Sequence, residues 1–239
     1  MYNEEHRIAR VLRVLQKVAE IDEIICIDDA SKDNTTTIVK KLFPHIPLYI
    51  HKKNAGKSAA IATGLAHTKH PAIFLCDADL QWLKARECSE AIQAFFGTKA
   101  RMIILKRIEA ALHIKAFRGN TLISGERILY KKDLQKILQK KNAWFALEVL
   151  LNKYMMDNDY PVYRMPSSAI NTFKMSKYGL WKWLQKDRSM YQEMELFKNK
   201  FVQQVLMFCT QKAVPEKWIV EYVVDTITLQ NSKTSKQKK

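Results

Sequence analysis

The chain has 239 residues, enough for one substantial core with additions. Its 47% hydrophobic and 27% charged residues exclude a fibrous or low-complexity protein. With 40 basic against 24 acidic residues the formal charge is +16, which favours anionic partners: phosphorylated substrates, acidic lipid headgroups or nucleic acid.

Residues 1–5 (MYNEE) precede an amphipathic helix whose apolar stripe is Ile8, Val11, Leu12, Leu15 and Val18. Residues 23–29 read as a buried strand ending in Asp28 and Asp29, and 30–35 as a polar turn that caps a helix over 36–42. A strand over 47–51, a loop over 52–56 and a helix over 57–67 follow. Residues 72–76 form a short apolar run that ends in Asp77 and Asp79, with Gln81 two positions on. If that strand runs on, the three side chains point the same way. Oxygen donors at a strand's C-terminal end suit a hard divalent cation, Mg²⁺ or Mn²⁺. A helix over 88–96 and a strand over 102–106 complete a strand–helix alternation, the pattern of a mostly parallel sheet with helices on both faces. Beyond it come an irregular basic stretch over 107–120, an extended segment near 123–130, helices over 132–139 and 143–156, a strand or loop over 160–173, and further helices to 229.

The domain organisation expected is a ligand-binding half over 1–106, a second half with C-terminal helices over 107–229, and a disordered basic tail over 230–239. The polar loop 1–5 stands where an α/β unit puts the end of a strand. A strand before Met1 is therefore expected, with Met1 either internal to a longer protein or the start of a truncated product. The cysteines, Cys26, Cys76, Cys88 and Cys209, show no paired or metal-binding spacing, so a reducing cytoplasm is the expected setting.

Residues 51–58 (HKKNAGKS) lie between a strand and a helix and resemble a phosphate-cradling loop of the G-x-x-x-x-G-K-[ST] type. His51 stands where that loop needs its first glycine, the residue that permits the tight turn. That reading also leaves MYNEE, Asp28, Asp29 and Asp79 unused.

Another reading uses all of them. Tyr2-Asn3-Glu4-Glu5, Ile27-Asp28-Asp29-Ala30-Ser31, Asn54-Ala55-Gly56-Lys57-Ser58 and Asp77-Ala78-Asp79-Leu80-Gln81 together resemble family 2 glycosyltransferases, in that family's order and spacing. The resemblance implies an inverting hexosyltransferase of the GT-A nucleotide-sugar-binding fold, with Mg²⁺ or Mn²⁺ as cofactor and a UDP- or GDP-sugar as donor. It implies that Asp77, Asp79 and Gln81 hold the metal, and that Tyr2, Glu4, Asp28, Asp29, Asn54 and Lys57 meet the nucleotide. In the second half, Ser124-Gly125-Glu126-Arg127 resembles a segment near the acceptor site. Arg127, with Arg107 and Arg118, would there clamp phosphate. Glu148 matches an acid that faces the acceptor. The implied catalytic residues are thus Asp79, Glu148 and Arg127.

Two departures narrow the acceptor. The acid pair of polysaccharide-making members is Glu148-Val149 here, and no histidine stands near Asn171 to join the metal. A hydroxyl acceptor wants a general base, whereas a phosphate is already anionic at neutral pH. Together with the Asp-Ala-Asp-Leu-Gln motif, similar to polyprenyl-phosphate sugar synthases, this favours a phosphorylated or lipid-linked acceptor over a hydroxyl of a polysaccharide, glycolipid or phosphoglycerate. Tyr178 to Leu184 interleaves aromatics with lysines, as interfacial helices do, although a helix packed on the sheet accounts for the pattern as well. A peripheral contact at the inner face of a membrane is the expectation. No stacking platform or groove helix points to nucleic acid.

Overall fold

The computed structural model describes residues 1–108, 124–139 and 147–171. In chain order these form α1 (Ile8–Leu15), β1 (Cys26–Asp28), α2 (Thr35–Leu42), β2 (Leu48–Ile50), α3 (Lys57–His67), β3 (Ala72–Leu75), β4 (Leu80–Gln81), α4 (Ala85–Gly97), β5 (Met102–Arg107), β6 (Arg127–Tyr130), α5 (Lys131–Leu138), α6 (Leu147–Asp157), β7 (Val162–Ser167) and β8 (Ile170–Asn171). The expected α/β alternation is present, with three differences. The strand expected over 23–29 is only three residues long, β4 and β8 were not legible, and the apolar helix is described only from Leu147. The expected helices beyond 173, the 178–184 stretch, the basic tail and Arg118 lie outside the described residues.

The main sheet has the order β3-β6-β5-β7. β5 and β7 are parallel, but β6 runs antiparallel to both its neighbours, with Phe74 opposite Ile128 and Ile103 opposite Ile128 on the other side. The sheet is therefore more mixed than strand–helix alternation alone suggests. β6 follows β5 in the sequence and leads straight into α5. β7 lies at the sheet's edge, where Pro166 is tolerated because the outer N–H is not needed.

Alternation within β5 divides the core. Ile103 and Leu105 pack with Ile128, Phe95 and Ile92 beneath α4 and α1, while Met102 and Ile104 pack with Leu129, Leu134 and Leu151 beneath α5 and α6. Burial on both faces explains why β5 reads as a continuous apolar run.

β1 and β2 form a separate parallel pair. The second edge of β1 is met by Met1, whose ammonium donates to the Ile27 carbonyl at 2.7 Å while Asp29 N–H donates to the Met1 carbonyl at 2.8 Å. Helices hold the two sheets together. In α1, Ile8 and Leu12 pack with Cys26 and Val39, whereas Val11 and Leu15 join the core around Phe95. In α3, Leu65 packs with Met102 and Ile104, and Gly64 lies over Ile27. The loops carrying Asp29, Asn54 and Asp77 leave the C-terminal ends of β1, β2 and β3, the edge at which open α/β sheets bind ligands.

Adjacent phenylalanines test the layer assignment. Phe95 is fully buried and Phe96 is 62% exposed. Phe95→Ala is expected to cost about 3–5 kcal/mol in urea unfolding, and Phe96→Ala less than about 1.5 kcal/mol.

Candidate active site

Short loops at the C-terminal ends of β1 and β2 are knitted together by the polar residues of the first motifs. Asn3, at φ 54°, is clasped by residues of the turn after β1: its N–H donates to Ser31 Oγ at 2.9 Å, and its Oδ1 accepts from Lys32 N–H at 2.9 Å. Asparagine is among the residues that tolerate this left-handed backbone. Glu4 is buried; its N–H donates to Thr35 Oγ1 at 2.7 Å, its carbonyl accepts from the Arg7 and Ile8 amides, and its carboxylate lies 3.5 Å from Arg7. Tyr2 is half-buried in the same loop.

Asp28 is fully buried and accepts the Ser31 N–H at 2.9 Å and the Ser31 hydroxyl at 2.5 Å. Asp29 accepts the amides of Ala55 at 2.8 Å and Gly56 at 2.7 Å, and a ring nitrogen of His51 lies 2.8 Å away. Asn54 donates to the Asp29 carbonyl at 3.3 Å. Both aspartates, expected at the nucleotide, thus have carboxylates engaged in shaping the loops, the capping role that residues of this type also favour. Asp29 is the anchor of the Asn54–Gly56 turn, whose Gly56 adopts φ 85°. Burial alone would raise the Asp29 carboxyl, but the hydrogen bonds from Ala55, His51 and Gly56 and the nearby His51 hold it below its ordinary value.

The chain does not continue as one strand past β3. Residues 76–77 leave the ladder, 78–79 turn, and Leu80–Gln81 restart as β4, paired antiparallel with β8 through Leu80 to Asn171 and Gln81 to Ile170. The extended-strand argument that Asp77, Asp79 and Gln81 share one direction is therefore corrected. The chain turns because β4 pairs in a different ribbon, which a latch fastens: Ser168 and Ser167 converge on the Glu87 carboxylate, and Ser168 Oγ donates to the Trp82 carbonyl at 2.9 Å.

Lys57, the first residue of α3, brings the acid after β3 and the acid on α6 together. Its ammonium lies 2.9 Å from Asp77 Oδ1 and 2.7 Å from Glu148 Oε1. The ammonium is enclosed between the carboxylates while its stem leaves the side chain 39% exposed. Loss of water alone would lower its pKa, but Asp77 and then Glu148 carry it well above the ordinary lysine value. Glu148, in the first turn of α6, thus has a cationic partner. On the opposite side of Asp77 stands Gly125, where a Cβ would lie 2.5 Å from Asp77 Oδ2 and 2.8 Å from Lys57 Nζ.

Arg127 departs from expectation. It is fully buried in β6, with Nε donating to the Ser124 carbonyl at 2.8 Å and Nη1 to Asn152 Oδ1 at 2.6 Å. Burial lowers its pKa to about 10 against the pull of Glu148 and Glu126. It braces β6 against α6, so the clamp expected at a solvent-facing phosphate is replaced by an internal strut. Arg107 ends β5 opposite Ser167 of β7. Asn152 carries no sequence signal of its own and is singled out only by its bond to Arg127, while Gly125, read only as part of the 124–127 segment, is singled out by its closeness to Asp77. Among the described residues no group of three or more His, Cys, Asp and Glu side chains forms a ready metal cage. Asp77 and Asp79 nevertheless offer hard oxygen donors, which suit Mg²⁺ or Mn²⁺ when phosphate oxygens complete the shell.

A layered α/β sheet with polar loops gathered at the C-terminal ends of β1–β3, and acids after β3, is the frame of a nucleotide-sugar-binding GT-A protein. Residues 1–151 match glycosyl transferase family 2, and the chain belongs to that family. An uncharacterized protein of Methanocaldococcus jannaschii is 32% identical over 143 residues, 55% of this chain and 61% of the relative. A dolichyl-phosphate beta-glucosyltransferase of Trichomonas vaginalis is 38% identical over 90 residues, 33% of this chain and 27% of that one. The chain thus spans less than two thirds of these relatives. Among solved structures, glucosyl-3-phosphoglycerate synthase from Mycobacterium tuberculosis, in complex with Mn²⁺, UDP and glucosyl-3-phosphoglycerate, has a TM-score of 0.58 at 17% identity, covering 72% of this chain and 69% of that one. The α/β fold expected from the four motifs is the fold found.

Two substitutions probe the site. Asp29→Asn turns one acceptor towards an amide N–H and should cost about 1–3 kcal/mol at pH 7. Because the native Asp29 carboxyl titrates below its unfolded value, its contribution is complete above ~pH 4 and lost as pH falls through the native pKa, so the gap between wild type and variant should close in acid. Gly125→Ala pushes on side-chain tips rather than backbone. It is expected to melt within a few degrees of wild type, about 1 kcal/mol or less, while donor turnover falls about tenfold or more as Asp77 and Lys57 are displaced.

Proposed function

We propose that the chain moves a hexosyl group from a UDP- or GDP-sugar, with inversion, to a phosphorylated acceptor, of which a polyprenyl phosphate is the favoured class. The observation that carries this reading is the meeting of Lys57, Asp77 and Glu148, which joins the donor-side motifs to the acceptor-side helix. An acceptor phosphate oxygen attacks the anomeric carbon from the face opposite the diphosphate. The bond from that carbon to the diphosphate oxygen breaks, and the electron pair leaves with the nucleoside diphosphate.

Asp77 and Asp79 are the residues that would hold Mg²⁺ or Mn²⁺, which as a Lewis acid offsets the charge developing on the departing diphosphate. Gln81, in β4, follows two residues on as the third candidate donor. Tyr2 and the backbone between residues 54 and 56, ordered by Asp29, form the nucleotide side. Asp28 and Glu4 act there by shaping the loops.

Glu148 decides between acceptor types. It is paired with Lys57, whose ammonium balances its charge. An anionic phosphate asks no proton of it, and the similarity to a dolichyl-phosphate glucosyltransferase over 90 residues supports the same class. A hydroxyl acceptor would instead use Glu148 as general base. No described helix is long and apolar enough to cross a membrane, so a lipid acceptor would be met at the membrane surface. The basic residues 232–239 and the 178–184 stretch supply the attraction to anionic headgroups.

Transfer from radiolabelled UDP- and GDP-hexoses, assayed with Mn²⁺ against polyprenyl phosphate and against phosphoglycerate, tests this reading. Asp79→Ala is expected to lower transfer about 10²-fold or more. Glu148→Gln at saturating Mn²⁺ should stay within about tenfold of wild type on a phosphate acceptor, whereas a general-base role predicts a loss of about 10²–10⁴-fold. Absence of turnover or donor binding with every nucleotide sugar would sink the proposal.

A further inference from the structure

Transfer chemistry alone does not account for the position of the Lys57 ammonium. A lysine serving only the diphosphate has no reason to sit on the carboxylate assigned to the metal. Yet Lys57 Nζ lies 2.9 Å from Asp77 Oδ1, and Gly125 flanks the other oxygen so closely that a Cβ there would stand 2.5 Å from Oδ2. One oxygen of Asp77 thus carries an ammonium, and beside the other there is room only because residue 125 has no side chain. Lys57 holds Glu148 Oε1 at 2.7 Å at the same time, and its long flexible stem lets it keep that partner if it leaves Asp77.

We propose that Lys57 is a resident competitor for the cation position: its ammonium and a divalent cation exclude one another at Asp77, so metal enters together with the nucleotide diphosphate rather than before it. The proposal rests on the assignment of Asp77 and Asp79 to the metal. A cation within coordination distance of Asp77 would face the Lys57 ammonium at close range, and like charges sharing one carboxylate repel. The diphosphate removes the conflict in two ways. It offers Lys57 a second anionic partner, and it supplies the oxygens that two carboxylates alone leave missing from the shell of a hard cation. Glu148 then serves as the counter-ion on which Lys57 rests while Asp77 is given over to the metal. It is a positioning residue for the cation although it does not touch it. By linkage, whatever the diphosphate does for the metal, the metal does equally for the diphosphate.

Two substitutions separate the effects, because they act with opposite sign. Lys57→Met keeps length and removes charge, and should tighten Mn²⁺ binding to the nucleotide-free protein about tenfold or more, read from the EPR signal of free Mn²⁺. In the same variant, the gain in Mn²⁺ affinity on adding UDP, or GDP in a parallel series, should shrink. Glu148→Gln removes the resting place, commits Lys57 to Asp77, and should weaken Mn²⁺ binding severalfold in the nucleotide-free protein. Asp77→Asn and Asp79→Asn serve as references. If both leave Mn²⁺ affinity unchanged, the metal assignment itself is wrong. If both abolish Mn²⁺ binding while Lys57→Met binds no tighter than wild type, competition is overturned and the metal assignment stands. If Lys57→Met does not fold, Glu148→Gln decides alone, and an unchanged or tightened Mn²⁺ affinity there overturns the proposal.

Discussion

The Lys57 ammonium is the point at which the two halves of the described chain are tied. It starts a helix that packs over β1 and reaches an acid at the end of β3 and another on α6. Neither Asp77 nor Glu148 alone would be placed favourably: one stands in a turn after a strand and the other on a helix with an apolar face. Two carboxylates drawn together without a cation would repel, and a lysine among apolar residues without an anion would lose its charge. Within the trio each charge offsets the others. Gly125 sets how closely they gather, since a Cβ there would displace Asp77 and Lys57.

Around that centre, much of the polar content of the first motifs is used to build loops. Asp28, Asp29, Asn3, Ser31 and Thr35 satisfy backbone N–H groups where short strands give way to turns. Buried amides outside a ladder need partners, and short acceptor side chains supply them. A motif residue can thus matter to a site by holding its loop in place. Arg127 shows the same principle in the second half, because its buried guanidinium ties β6 to α6 from within.

How far the fold could be read follows from periodicity. The stripe Ile8, Val11, Leu12, Leu15 and the continuous apolar run of β5 specify a helix face and a doubly covered strand whatever surrounds them. β4 and β8, at two residues each, have too little sequence to show a period, and they exist only because they pair with one another. β6 could be read as extended, but its direction could not, since strand direction depends on the connection and not on side-chain alternation. The turn at 78–79 escaped for a related reason: Asp-Ala-Asp-Leu-Gln is compatible with an extended run, and pairing of Gln81 with Ile170 is what bends it.

Sequence alone determined the α/β class, the family and the cluster of acids after β3, because local periodicity and the order of short motifs survive without knowledge of packing. Tertiary structure decided which of those polar residues are spent on loops, which are buried struts and which face one another. Lys57, Asp77 and Glu148 are separated by 20 and 71 positions along the chain, and no local rule relates them. Only the packing of α3 and α6 around the end of β3 brings their charges within hydrogen-bonding distance, and charge is worth most where several groups must share one small space.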